Sequence, residues 1–130
     1  MRVFKFGGAS VKDAEAVRNV GKVMKLYPNE EIVVVISAMG KTTNALEKIT
    51  KEYMTKEGDL KKSIQELKGY HNEILADLFP DQGHKIYNEV NNVMVELEWI
   101  IEDEPIADYD FEYDQIVSLG EMMSTRIVSA

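Results

Sequence analysis

Lys5 is the residue of this chain best placed to do chemistry. It sits in a short apolar run, Val3-Phe4-Lys5-Phe6, that passes directly into Gly7-Gly8-Ala9-Ser10. Flanked by Val3, Phe4 and Phe6, its ammonium is expected opposite a partner rather than solvated on the surface, because a charge among apolar groups must be compensated. Glycines let backbone N–H groups approach a ligand closely, and successive N–H groups form an anion nest. Lysine, glycine nest and a following helix together describe a phosphate site. The same residues also describe a plain strand-to-helix turn with a lysine beside it.

Two further segments share this small, polar character. Ser37-Ala38-Met39-Gly40-Lys41-Thr42-Thr43-Asn44 follows an apolar run, where ligands bind in open α/β sheets if that run is a strand. Ser118-Leu119-Gly120-Glu121, with Ser124 after it, precedes an apolar helical pattern. Each has a purely structural reading as well: Thr43 or Asn44 as a helix cap, Asn44 with Glu47 as a capping box, and Ser118 with Glu121 as another. A helix N-terminus that needs a cap also attracts anions, so the two readings are compatible.

The elements that must position these residues are visible in the residue pattern. Val3–Phe6 reads as a strand, and Asp13 as the N-cap of a helix running to about Leu26. Ile32–Ile36 is five consecutive β-branched residues, which predicts a strand buried on both faces of a parallel sheet. Strand, helix and strand form a βαβ unit with an expected right-handed crossover. Leu46, Ile49 and Tyr53 mark one side of the next helix. Residues 57–79 and 82–103 carry two apolar seams: Ile64, Leu67, His71, Ile74 and Leu78, then Ile86, Val90, Val93, Leu97 and Ile100. With the Phe79–Gly83 turn between them they form a long helical hairpin. Trp99 is expected to anchor this hairpin to the body of the domain, and Met39, Met94, Met122 and Met123 to pack. Asp108–Asp114 reads as the exposed start of a helix, favoured by the macrodipole, and Ile116–Glu121 as the lead into a last one. Only two strands emerge. Two parallel strands under five helices leave an unpaired edge, so the 130 residues are expected to be a fragment of a larger protein.

Composition excludes several classes of function. The chain is 45% hydrophobic and 29% charged, with 15 basic and 23 acidic residues and a net charge of −8. Its lysine-rich patches are interleaved with carboxylates, so nucleic-acid binding by counterion release is disfavoured. There is no cysteine, which excludes disulfides and thiolate metal sites. No apolar run approaches the ~20 residues of a membrane span, and a strand at the start leaves no room for a signal peptide, so the expected compartment is the cytoplasm. His71 and His84 lack a ligand pattern and are read as core or surface residues, with no metal site assigned. Gly40-Lys41-Thr42 suggests a P-loop, but Walker A needs a glycine where Val35 stands.

The three segments, in this order, resemble the aspartate kinases of the amino-acid kinase family. There a K-F-G-G-T/S-S segment opens the chain, S-A-x-G-x-T-T-N follows the second strand, and S-x-G-E-x-x-S comes after a helical stretch. Ala9 departs from this pattern: a hydroxyl more often stands there, though a backbone contact survives the change. The resemblance covers essentially the whole chain. It implies the N-terminal portion of a three-layer αβα kinase domain, carrying the aspartate and phosphate side, with the nucleotide-binding half and regulatory ACT domains lying beyond. It implies transfer of the ATP γ-phosphoryl group to the β-carboxylate of L-aspartate, the first step of lysine, threonine and methionine biosynthesis, with Mg-ATP as co-substrate. Lys5 is then catalytic. Lys5, Gly7, Gly8, Ala9 and Ser10 hold phosphate, while Ser37, Thr43 and Glu121 hold aspartate. The full-length enzyme is expected to be a homo-oligomer, and this piece alone inactive. The alternatives are another amino-acid kinase, such as glutamate 5-kinase, or a non-enzymatic helical module built on residues 57–103.

Overall fold

A computed structural model describes residues 1–105 and 108–130. The chain opens with β1 (Arg2–Phe6), a single 3-10 turn (Gly8–Val11) and α1 (Ala14–Met24). β2 (Ile32–Ile36), α2 (Thr42–Thr55), α3 (Leu60–Leu78), α4 (Ile86–Glu102) and α5 (Tyr109–Ser129) follow. β1 and β2 pair in parallel, in a register that sets Lys5 opposite Val35 and Phe6 opposite Ile36. Asp13 caps α1 as expected, its Oδ1 accepting from the Ala16 N–H at 2.8 Å.

Helices α2, α3, α4 and α5 close into a ring in which α2 packs on α3 and α5, and α4 on α3 and α5. Both expected seams face its interior: Ile64, Leu67, His71 and Ile74 of α3 and Ile86, Val90, Val93 and Leu97 of α4 are buried. They meet Leu46 and Ile49 of α2 and Ile116, Leu119, Met123 and Ile127 of α5. At roughly 1.5–3 kcal/mol for each fully buried large apolar side chain, this ring is the dominant stabilising unit. α1 lies against α3, where the Arg18 guanidinium donates to the Asp77 carbonyl at 2.6 Å.

Three expectations are corrected here. β2 is not buried on both faces: Val33, Val34 and Val35 are 45%, 38% and 45% exposed. Among the described residues the sheet has two strands, and no element encloses these valines. Trp99 does not anchor the hairpin but is 67% exposed. It stands two residues past Leu97, about 200° around the helix from the seam. The acidic stretch and the last helix are one continuous element, α5, capped by Asp108, whose Oδ1 accepts from the Phe111 N–H at 3.0 Å.

His71 makes the core sensitive to acid. Burial holds its imidazole below the ordinary value of 6.5. Its Nδ1–H donates to the Leu67 carbonyl at 3.0 Å, and Nε2 is buried without a hydrogen-bond partner among the described residues. The unfolded chain takes up this proton near its ordinary value and the folded chain only at lower pH. Stability therefore declines as pH falls below about 6.5, by at most ~1.4 kcal/mol per pH unit. Urea titrations at about pH 7.5 and about pH 5.5 should show a larger loss for wild type than for His71→Phe; parallel losses would remove His71 as a cause.

Candidate active site

The parallel register brings the carboxyl ends of β1 and β2 side by side, so the segments after Phe6 and after Ile36 leave from the same edge. Backbone hydrogen bonds join them: the Ser37 N–H donates to the Phe6 carbonyl and the Gly40 N–H to the Gly8 carbonyl, each at 3.0 Å. A Cβ on Gly8 would lie 2.6 Å from the Gly40 carbonyl oxygen and 3.0 Å from that of Ala38. Only glycine permits this approach. Gly40 itself turns the chain at a φ of +53°, in the left-handed region.

The third segment arrives on α5. A Cβ on Gly120 would stand 3.0 Å from Leu46 Cδ1 and Thr42 Cγ2 and 3.1 Å from Ala38 Cβ, so α5 lies tight against the start of α2. One turn further on, the buried Ser124 hydroxyl donates to the Ser37 carbonyl at 2.7 Å. Three segments far apart in sequence thus meet at the strand ends.

The capping readings do not survive. Ser118 and Glu121 lie in the interior of α5, where the Ser118 hydroxyl donates to the Gln115 carbonyl at 3.2 Å. Glu121 is exposed and forms no ion pair among the described residues. It shares the face of Ser124 one turn away. α2 begins at Thr42 with Lys41 in the cap position and no side-chain cap, so neither Thr43 nor Asn44 caps it. The Thr42 N–H at the start of α2 donates to the Met39 carbonyl at 2.9 Å. This leaves the Thr43 and Asn44 N–H groups as the donors of the first turn that an anion could meet.

Lys5 departs from its expected setting. It is exposed on β1 without an ion-pair partner among the described residues, because the apolar neighbours in sequence do not enclose it. Gly7, Ala9 and Ser10 are exposed and Gly8 half-buried around the 3-10 turn, where the Ser10 N–H donates to the Gly7 carbonyl at 3.0 Å. Ser37 is half-buried and Thr43 exposed. The buried threonine is Thr42, whose Oγ1 has no hydrogen-bond partner among the described residues. Sequence reasoning missed Tyr70 of α3, whose hydroxyl donates to the Lys12 carbonyl beside the glycine turn; no motif spacing marks it. Among the described residues, no group of three or more His, Asp or Glu side chains could hold a metal ion. The donors present suit anionic oxygens.

A parallel strand pair with a glycine-rich turn at its carboxyl edge and helices packed beside it defines an α/β class of protein, and comparison with known proteins narrows it. The model of the amino acid kinase family matches residues 1–130. Aspartokinase 2, chloroplastic, of Arabidopsis thaliana is 33% identical over 98% of this chain and 24% of its own length. The bifunctional aspartokinase/homoserine dehydrogenase 2 of Escherichia coli (strain K12) is 27% identical over 99% of the chain and 16% of its own. The crystal structure of E. coli aspartokinase III in complex with lysine and aspartate superposes with a TM-score of 0.80, at 26% identity, over 98% of this chain and 28% of that one. The chain belongs to the amino acid kinase family, and it spans about a quarter of the length of the aspartokinases it matches.

The close approaches make a ranked prediction. Gly8→Ala should cost about 1–3 kcal/mol, because its added Cβ meets backbone carbonyls that cannot turn aside. Gly120→Ala should cost less, since its new Cβ meets side-chain carbons at 3.0–3.1 Å rather than a carbonyl oxygen at 2.6 Å. Ser124→Ala should cost about 1 kcal/mol for its hydrogen bond. Urea unfolding of the three variants checks the order; a Gly8→Ala chain as stable as wild type would contradict the contact.

Proposed function

We propose that this chain is the aspartate- and phosphate-binding portion of an aspartate kinase, which transfers the γ-phosphoryl group of ATP to the β-carboxylate of L-aspartate. The observation that carries the reading is the meeting of Gly7–Ser10, Ser37–Thr43 and Gly120–Ser124 at one edge of parallel strands. The names of the relatives support it, as does the aspartate in the complex of aspartokinase III.

Phosphoryl transfer asks the protein for alignment and for positive charge on the transferring oxygens. In this reading the Lys5 ammonium, free to face a ligand, supplies that charge. The N–H groups of Gly7, Gly8 and Ala9 and the Ser10 hydroxyl hold phosphate oxygens. Aspartate is received by the Ser37 and Thr43 hydroxyls, and the Glu121 carboxylate pairs with its α-ammonium. The attacking carboxylate is already ionised at neutral pH, so no general base is needed. ATP enters as its magnesium complex, with no residue of this chain assigned to the metal.

Residues 1–130 are then an N-terminal portion of the catalytic domain, and the exposed valines of β2 mark a sheet that further strands would extend and further helices would cover. Regulatory ACT domains and self-association belong to the longer protein in this proposal. Chloroplastic enzymes stand among the relatives, so the cytoplasm is one of two compartments for it. The helical hairpin offers little as a separate interaction module, because its apolar seams are spent inside the ring of helices.

In the longer protein, Lys5→Ala should lower kcat by about 100-fold or more with little change in the KM for aspartate. Glu121→Gln should instead raise that KM by about 10-fold, the loss of one charge-assisted contact. Hydroxamate trapping of the acyl phosphate measures both. A kcat within about twofold of wild type in Lys5→Ala would sink the catalytic role. The 130-residue chain alone should give no ATP- and aspartate-dependent signal.

A further inference from the structure

The hairpin of α3 and α4 contributes no residue to the three motif segments, yet one of its side chains bonds just past the first and lies against the second. The Tyr70 hydroxyl donates to the Lys12 carbonyl, at the end of the turn that carries Gly7–Ser10. The same hydroxyl is the nearest atom to where a Cβ of Gly40 would stand, and Lys12 Cα is 3.7 Å from that point. Tyr70, the segment after β1 and the segment after β2 therefore share one point of contact. The ring meets His71 edge-on at 5.2 Å. It also borders a cavity of about 190 Å³ between α2 and α3, lined with it by Lys41, Ala45, Lys48 and Leu67. One side of the ring packs on the core and the other borders open space, and the hydroxyl bond fixes the tip of the side chain.

We infer that Tyr70 is a positioning residue for the site, a latch on α3 that holds the glycine turn and the Ser37–Lys41 loop in mutual register. The inference rests on the kinase reading for its effect on turnover, but not for the contact itself. Burial, and then the Asp13 carboxylate, raise the Tyr70 hydroxyl above its ordinary value of 10.0, so it remains a donor at neutral pH. Phosphoryl transfer depends on the phosphate-holding N–H groups and the acceptor-holding Ser37 keeping their relative place. Misalignment of about 1 Å can cost up to 100-fold in rate. Release of the latch would therefore appear in kcat before it appears in binding.

The test is Tyr70→Phe in the longer protein, which keeps the ring and removes the donor. Its kcat should fall by about 10-fold while the KM values for ATP and aspartate change by less than about threefold. Hydrogen exchange in peptides covering residues 7–12 and 38–41 should rise, with the folded fraction unchanged. In a Gly40→Ala background, where the left-handed backbone is strained and the new Cβ also meets the hydroxyl, Tyr70→Phe should cost less than it does in wild type. An active wild type whose Tyr70→Phe variant keeps kcat within about twofold overturns the latch, as does a loss that tracks the folded fraction. A wild type with no aspartate-dependent activity overturns the kinase reading instead. The exchange measurement then decides the latch: raised exchange upholds it, and unchanged exchange overturns it.

Discussion

Gly8 rests directly on the backbone of the loop that follows β2, and the geometry of the site depends on that contact. Its missing Cβ leaves room for the Gly40 and Ala38 carbonyls, and its own carbonyl accepts from the Gly40 N–H. The approach is possible because β1 and β2 are parallel and in register, so both chains leave the sheet at the same level. An antiparallel pair would send the two loops to opposite ends. From this one contact follow the placement of Ser37 beside the glycine turn and the entry of α2 at Thr42. The fit of Gly120 against Ala38 and the start of α2 follows too.

Stability and site geometry are carried by different parts of the chain. The ring of α2 to α5 buries most of the large apolar side chains, whereas the strands expose valines. The site stands where ring and strands join. Ser124 bonds α5 to the Ser37 carbonyl, and Tyr70 bonds α3 to the Lys12 carbonyl. Both bonds end on backbone carbonyls of loops, which holds a loop's position without occupying the side chains that would face a ligand. The proposed phosphoryl transfer agrees with this division, since that reaction depends mainly on placing groups and little on covalent chemistry by the protein.

Much of the fold was legible wherever a local rule decided it. Five β-branched residues marked β2, the 3–4 spacing of Ile64 to Ile74 marked the buried face of α3, and Asp13 marked the start of α1. Misreadings arose where a local pattern fits more than one setting. Ser118-x-x-Glu121 has capping spacing, yet Asp108 caps the helix ten residues earlier and α5 runs through both. Apolar neighbours in sequence suggested an enclosed Lys5, but alternation along a strand sends a residue and its neighbours to opposite faces. Trp99 lies near the end of the second seam and reads as the hairpin's anchor to the body of the domain, although its angular position on α4 turns it to solvent.

The sequence by itself determined the types of the elements, the order of the three small polar segments and the family they resemble. The elements rest on propensity and periodicity, which act over a few residues at a time, and the family on the resemblance that the wording and order of the three segments carry. Only the tertiary structure decided that the three segments meet, that Lys5 faces outward, and that Glu121 is free of a capping role. It alone revealed Tyr70, which bonds a carbonyl 58 residues away. Such contacts depend on how whole helices are set against one another by the packed core, and no local pattern in the chain encodes that orientation.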